Sequence, residues 1–454
     1  MILRLVLLFV LLQLFFDAQA QLSYDYVSVE QSSLKAYAEK DWVRVIEIGE
    51  NSIEHQVEFY ALDVRMGVAY YHLGHYRSSI KFLEKAMKQG EEDLLVLEYL
   101  VGSYWLIGDD IMAIKTLTQS QSKWAQKQID QTKIFRNIYA FYTYRNIPNS
   151  DIEQQTLETF EQEKKKATGP FYLESYDPQT YRQFHLGTGF RLANNWQVNL
   201  SYQNFLVSQI QRIYDPFKIT SLNGESSQNQ WQLHNRFALT KRMKLNLFAT
   251  YISIKYDYIQ VSTETVPPEF IELLDQKYSE YVLGLSLSRR QTYFDLEWQA
   301  CMFKGMGPIN LQTDLAASWY PFANASLWGE SRVSIMLQGQ SNPKFAFKQS
   351  ANYWINPQWS VGVFGQWGDM RKWVGDNGYT VYNGIYGMYW NYQFWISWNL
   401  NSNLQFKLYY EYSQHSSSLN KKSLLPEDSD SAAIPIQEIK FNTHSITGGL
   451  IWTF

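Results

Sequence analysis

The sequence predicts an α + β multidomain chain: an N-terminal α-helical solenoid followed by an antiparallel transmembrane β-barrel of about 14 strands, with 12 to 16 compatible with the pattern. Three observations predict it. Similar residues recur at a spacing of 34 between Tyr37 and Ile114. From Gly169 onward the apolar period changes from helical to two. The turns between the alternating segments switch between tight and long. Composition narrows the field. The aromatic share of 17% excludes disorder as the main theme. A formal charge of -4 over 454 residues argues against a nucleic-acid partner. The single cysteine, Cys301, excludes an intrachain disulfide and a multi-cysteine zinc site.

Residues 1–20 read as a secretory signal. Arg4 supplies the positive end, Leu5 to Phe16 is apolar except for Gln13, and Ala18-Gln19-Ala20 is a small-residue cleavage site. The alternative is an uncleaved anchor, but the apolar run falls short of the ~20 residues that a span needs. No other stretch approaches that length, so any further span must be made of strands.

Residues 21–135 carry the repeats. The turns are Lys40-Asp41-Trp42, Gly74-His75-Tyr76 and Gly108-Asp109-Asp110, with Tyr37, Tyr71 and Trp105 before them and Ile46, Ile80 and Ile114 after them. Small residues such as Gly67, Ala69, Ser79 and Ala86 let paired helices approach, and bulky ones fill the space between successive pairs. Gly49 breaks the pattern at a position that should be bulky. Residues 136–168 keep a loose helical spacing (Ile138, Phe141, then Ile152, Leu157, Phe160), interrupted at Asn146 to Ser150, and are expected to form a capping helix and linker.

Residues 169–454 are expected to form the barrel. Met243, Leu245, Leu247, Ala249 and Tyr251 alternate with Lys244, Asn246, Phe248 and Thr250, and Leu404 to Ser413 alternates likewise. Spans fall near 171–177, 182–192, 196–207, 228–240, 243–257, 278–289, 292–303, 309–321, 325–338, 344–355, 359–370, 379–400, 404–415 and 441–454. A soluble sandwich would turn the apolar face inward; a membrane barrel turns it to lipid. Strand lengths near the ~9–11 residues of a spanning strand favour lipid. So do aromatics at strand ends, such as Trp196, Trp319, Tyr353, Trp359 and Trp398. Long loops are expected at 208–227, 260–278 and 414–440. The polar face supplies the lumen set His185, Arg191, Arg236, Asp295, Glu297, Asp314, Arg332, Lys407 and Glu411. Its mixed signs suit internal ion pairs that narrow a pore.

The 34-residue period and the segment Met66-Gly67, Tyr70, Gly74, Tyr76, Leu83 and Ala86 resemble the tetratricopeptide (TPR) consensus. The final strand, ending at Phe454, resembles the signal by which outer-membrane barrels reach their assembly machinery. The layout is similar to Gram-negative outer-membrane proteins with a periplasmic TPR domain, such as surface lipoprotein assembly modifiers and exopolysaccharide exporters. That resemblance implies an outer-membrane chain embedded in lipid, with a periplasmic domain that binds a protein or polysaccharide client. The first helix of each repeat would then present Tyr37, Val68, Tyr71, His72 and Trp105 on a concave face; packing between repeats is the other role open to such rings.

Chemistry is thinly signalled. His72 and His75 stand three apart without a third metal ligand. His415 and the pair His444-Ser445 suggest a lipid hydrolase, but no third orienting residue is visible. Pro426 to Ser431 is acidic and offers a calcium site or simply a solvated loop. No cofactor and no enzyme activity are expected. Export or surface presentation leads, with a structural or adhesive anchor as the alternative.

Overall fold

The computed structural model describes residues 25–89, 93–147, 150–167, 169–215, 217–262, 269–305, 307–339, 342–382, 386–423 and 434–454. The expected signal segment and the acidic stretch 426–431 lie outside them. The chain divides into two compact units, Met1–Gln126 and Lys127–Phe454.

The first unit is built of antiparallel helices: α1 (Tyr26–Ala38), α2 (Trp42–Glu54), α3 (Tyr60–His72), α4 (Tyr76–Gln89), α5 (Leu94–Leu106) and α6 (Asp110–Thr118). A further helix, α7 (Lys123–Gln131), follows. Helices α1, α3 and α5 begin 34 residues apart, and so do α2, α4 and α6. The turns obey the same spacing, with left-handed backbone at Lys40, Gly74 and Gly108. Glycine adopts that conformation without a Cβ penalty, and Lys40 adopts it at some cost. Asp25, Asp41, Asp93 and Asp109 cap helix N-termini by accepting backbone N–H bonds. Gly49 is explained by its neighbour. A Cβ there would stand 2.3 Å from the Met66 sulfur, so Met66 fills the volume from the next helix.

The second unit is a closed antiparallel barrel. Its wall strands are β1 (Phe135–Asn146), β2 (Phe171–Ala193), β3 (Trp196–Tyr214), β4 (Ile219–Ala238), β5 (Met243–Ser262), β6 (Glu269–Arg290) and β7 (Phe294–Lys304). They continue with β8 (Asn310–Trp319), β9 (Leu327–Gln338), β10 (Lys344–Trp354) and β11 (Trp359–Gly368). A small hairpin, β12 (Trp373–Gly375) and β13 (Thr380–Tyr382), precedes β14 (Gly387–Asn399), β15 (Leu404–Ser423) and β16 (Ile434–Thr453). Fourteen strands form the wall, which β1 closes by pairing with both β2 and β16. Helix α8 (Ser150–Lys166) lies between β1 and β2.

The expected number agrees with the wall, but its composition differs. Segment 136–168 is helical only in its second half, as α8: the barrel's first strand occupies its first half, so the barrel begins at Phe135 rather than at 169. Ile138, Tyr142 and Tyr144 face out while Tyr139, Phe141 and Thr143 face in, and aromatic rings on both faces hide the period of two. Spans 171–177 and 182–192 are one strand, β2. Segment 379–400 is overlong because it contains β13 as well as β14. Much of the loops expected at 208–227, 260–278 and 414–440 is strand. There β3 to β6 and β15 to β16 extend 19 to 22 residues, whereas β7 to β11 hold 10 to 12. The wall is therefore tall on one side and short on the other.

Leu233, Leu247, Leu283, Leu296, Leu311, Leu315, Val333, Leu337 and Leu450 are exposed on the outer face. Gln230, Gln232, Thr250, Gln299, Gln312, Asp314 and Arg332 are buried on the inner face. Aromatic rows edge the outer surface. Tyr202, Trp231, Tyr251 and Tyr281 are direct ladder neighbours with ring centroids 5.2–5.6 Å apart. Trp359 stacks on Trp398 at 5.2 Å near the opposite ends of the strands.

At the end of the barrel away from Phe454, α8 lies against the extended strands. Ile152 and Phe160 join Phe171, Leu173, Tyr214, Leu419, Ile439 and Phe441 in one apolar core. Lys421 Nζ donates to Glu163 at 2.8 Å, and Thr159 Oγ1 to Gln437 at 2.7 Å. The ammonium groups of Lys421 and Lys166 hold the Glu163 carboxyl below the usual carboxylate range. Past the end of the short β1, the free edge of β2 pairs with β15 instead, Phe171–Glu174 against Asn420–Ser423. That pairing covers an edge that would otherwise be unpaired.

Candidate functional site

The lumen is occupied. The β12–β13 hairpin leaves the wall after β11, turns inward and rejoins it at β14. Its main chain is held by side chains from several wall strands. On β8, Gln312 Oε1 accepts the Val374 N–H at 2.9 Å, and Gln312 Nε2 donates to the Val374 carbonyl at 2.7 Å. On β4, Gln232 Nε2 donates to the carbonyls of Gly378 and Tyr379, both at 3.1 Å. Gln203 on β3 reaches the Tyr379 carbonyl at 3.0 Å, and Thr250 on β5 the Gly378 carbonyl at 3.3 Å. Tyr379 stacks flat on His234, centroids 3.6 Å apart. Val374 and Val381 enter an apolar pocket of Phe248, Ile252, Ile254, Val282, Cys301 and Phe303. Trp373 enters another with Met370, Ala346 and Met388.

At the tip, Asp376 pairs with Lys348, which also lies 3.5 Å from Glu330. Arg332 continues the network to Glu330 at 3.1 Å and Glu297 at 2.8 Å. Asp314 accepts from Gln299 at 2.6 Å and from Gln312 at 2.9 Å. The lumen set thus comes together at Glu297, Asp314 and Arg332, with Glu330, Lys348 and Asp376 added.

The other members are scattered. Glu411 pairs with Arg145, which the helical reading of 136–168 had kept out of the lumen. Arg191 donates to Thr132 Oγ1 at 2.5 Å, and Arg236 to Asn246 at 3.2 Å. His185 packs edge-on to Tyr139, centroids 5.1 Å apart. Asp295 faces Arg290 and Ser318 in the ladders, and Lys407 faces Ser397 and Gly449.

The hydrolase arrangement at His444-Ser445 does not form. Successive strand residues point to opposite faces. His444 is accordingly exposed beside Tyr410 and Tyr412, while Ser445 is buried. His415 instead meets Ser413 Oγ at 2.9 Å, in a network with Thr443 and Arg145. Among the described residues no cluster of three or more metal-ligating side chains occurs.

In the helical unit, aromatic rings gather on one side. His72 stacks on Trp42 at 4.5 Å and meets Tyr99 Oη at 3.2 Å. Tyr71 lies edge-on to Tyr99 and Tyr76, and Tyr37 edge-on to Trp42. Trp42, Tyr76 and Tyr99 are additions that a single 34-residue column misses, because they come from neighbouring helices. Val68 is 1% exposed, so it packs in the core and does not line a surface. Trp105 is exposed and makes no ring contact among the described residues. Buried Asp63 accepts from Lys85 and Gln89, and its burial outweighs both in pushing its carboxyl up. Burial and the Asp93 carboxylate, to which it donates at 2.8 Å, push the Tyr60 phenol up to about 12.

No family model and no curated protein matches the chain. Several solved structures do. A FadL homologue from Pseudomonas aeruginosa matches at 7% identity and a TM-score of 0.42, over 70% of this chain and 90% of that one. The P. putida toluene transporter TodX matches at 7% identity and a TM-score of 0.40, over the same shares. The KdgM porin matches at 9% identity and a TM-score of 0.25, over 63% of this chain and 99% of that one. They have in common with this chain a barrel, at identities too low for residue-by-residue correspondence.

Proposed function

We propose that the chain is an outer-membrane barrel of the conduit type, closed at rest by the β12–β13 hairpin, that supports export or surface presentation. The helical unit is a periplasmic TPR-like module that captures a client or partner through Tyr37, Trp42, Tyr71, His72 and Tyr99. Residues 1–20 direct the chain out of the cytoplasm, and the Phe454 strand presents it to the barrel-assembly machinery. The observation that carries the reading is the pairing of an apolar outer wall with a polar lumen in which, among the described residues, an in-folded segment is held by side chains. Such a wall suits lipid outside and water inside, and a segment held by side chains is removable without breaking wall ladders.

The filled lumen also favours a second reading, in which the barrel only anchors partner-binding loops and helices. Planar-bilayer recordings separate the two. Replacing residues 373–382 by a short Gly-Ser linker raises single-channel conductance severalfold over the parent if the lumen is a conduit. Equal silence of both chains, with correct folding shown by heat-modifiable gel migration, supports the anchor and overturns the conduit.

A further inference from the structure

We infer that the lumen contains a binding site for polypeptide main chain, and that the β12–β13 hairpin occupies it as a resident pseudo-ligand. This deepens the conduit reading and rests on it. The decisive feature is what the wall recognises. Gln312 gives one acceptor and one donor to the N–H and C=O of a single residue, Val374, at 2.9 and 2.7 Å. That is the two-point contact a neighbouring strand offers. At the tip turn, where the chain is not extended, Gln232, Gln203 and Thr250 bind the main-chain carbonyls of Gly378 and Tyr379. Main-chain contacts are available from any extended peptide and give affinity without sequence, while pockets for alternate side chains add preference. Both kinds are present: Val374 and Val381 fill the pocket around Phe248 and Phe303.

Two further observations mark the hairpin as a provisional occupant. It leaves inner-face amides without partners among the described residues: Gln230 Nε2, Gln299 Oε1, Gln366 Nε2 and both polar atoms of Asn310. These residues are no more than 1% exposed. A buried donor or acceptor left unpaired carries a desolvation cost, and a longer extended chain in the lumen would offer it partners. In addition, three consecutive tip residues, Asp376, Asn377 and Gly378, have φ of 50°, 56° and 89°. The two non-glycine residues among them sit in the left-handed region, which costs a side chain backbone strain.

The test uses the full-length chain with residues 373–382 replaced by a Gly-Ser linker, recorded in planar bilayers. The probe is the free decapeptide of residues 373–382, with maltoheptaose as the comparison solute. The peptide is expected to block the open current saturably and maltoheptaose to leave it unchanged. Adding Gln312→Leu, which removes both bonds to the main chain at that point, should weaken the block about tenfold. Open channels that the peptide does not block, or that the sugar blocks equally, overturn the peptide site while leaving the conduit standing. A linker chain no more conductive than the parent overturns the conduit itself, and this site with it. If the linker chain does not fold, the same peptide is applied to the otherwise intact Lys348→Met chain, whose tip has lost its ion pair. Longer closures with added peptide support the site there, and unchanged closures overturn it.

Discussion

Residue-scale interactions repeat where the sequence repeats. Tyr70 donates to Glu50 at 2.7 Å, and Tyr104 donates to Glu84 at 2.5 Å, each partner 34 residues from its counterpart. The tyrosines were legible as members of the period, whereas their carboxylate partners were not, because a bond across two helices leaves no local pattern. Arg65 is a buried cation of the same unit. It donates to both oxygens of Glu30, at 2.9 and 2.7 Å, and to Ser33 at 2.9 Å. The Arg65 guanidinium holds the Glu30 carboxyl below its usual range. The sign follows from that direction: the pair stabilises the fold above the unfolded carboxylate pKa, and its contribution is lost as pH falls through the lowered value. Asp63, whose carboxyl is pushed up by burial, works in the opposite sense and favours folding as it protonates. Far-UV melts of parent and Glu30→Gln chains across that acid range should converge at the lowest pH and separate above it, with the parent more stable. A separation that does not change with pH would show that the Arg65 pair contributes nothing to the acid response.

At the scale of elements, the sequence was most legible where each face had one character. The strand from Met243 alternates cleanly, and the structure turns Leu247 out and Thr250 in. It was least legible at β1, where Ile138 and Phe141 satisfy a helical spacing while aromatics occupy both faces. The inward hairpin was missed for a related reason. The three residues of each of β12 and β13 give no periodic run, and the side chains that hold their main chain come from strands more than 60 positions away, as with Gln312 and Val374. Helix α8 was expected, but its seat on the extended strands was not. Phe160 is 5% exposed there, against Phe171 at 6.0 Å and Tyr214 at 5.7 Å. Truncating it to alanine should cost about 3–5 kcal/mol if the cavity does not collapse. Because α8 is seated mainly by this core, the loss should appear first as its local release. Limited trypsin digestion at Lys164 to Lys166, followed by mass spectrometry, should then be at least tenfold faster than in the parent. Unchanged digestion would mean that α8 is held by its polar contacts to Gln437, Lys421 and Lys440.

At the scale of the whole molecule, the barrel's arrangement of polarity is inverted relative to a soluble domain. Large apolar side chains are exposed on the outer wall, and glutamines, serines and ion pairs are buried within. In water this would leave an extended apolar patch on all sides, well beyond the few hundred Å² that soluble monomers show. In a bilayer the same surface is matched to its solvent. The aromatic rows fix the scale. From Trp359 to Trp367 along β11 is about 27 Å of strand at ~3.4 Å per residue. A strand tilt of about 40° reduces that to about 20 Å along the normal, comparable with the ~25 Å apolar band of outer-membrane barrels. Leu315 lies in the middle of the short strand β8, 66% exposed, between inward Asp314 and Ala316. If the outer wall meets acyl chains, Leu315→Arg should destabilise the barrel by about 2–4 kcal/mol, the cost of a cation near the bilayer midplane. Urea titration in liposomes, followed by heat-modifiable gel migration, measures this directly. The outward Thr313→Arg change on the same strand should cost less if it lies nearer the interface, so the pair reports depth as well as orientation. Unchanged stability in Leu315→Arg would place this face in water and leave the apolar wall to be covered by protein instead.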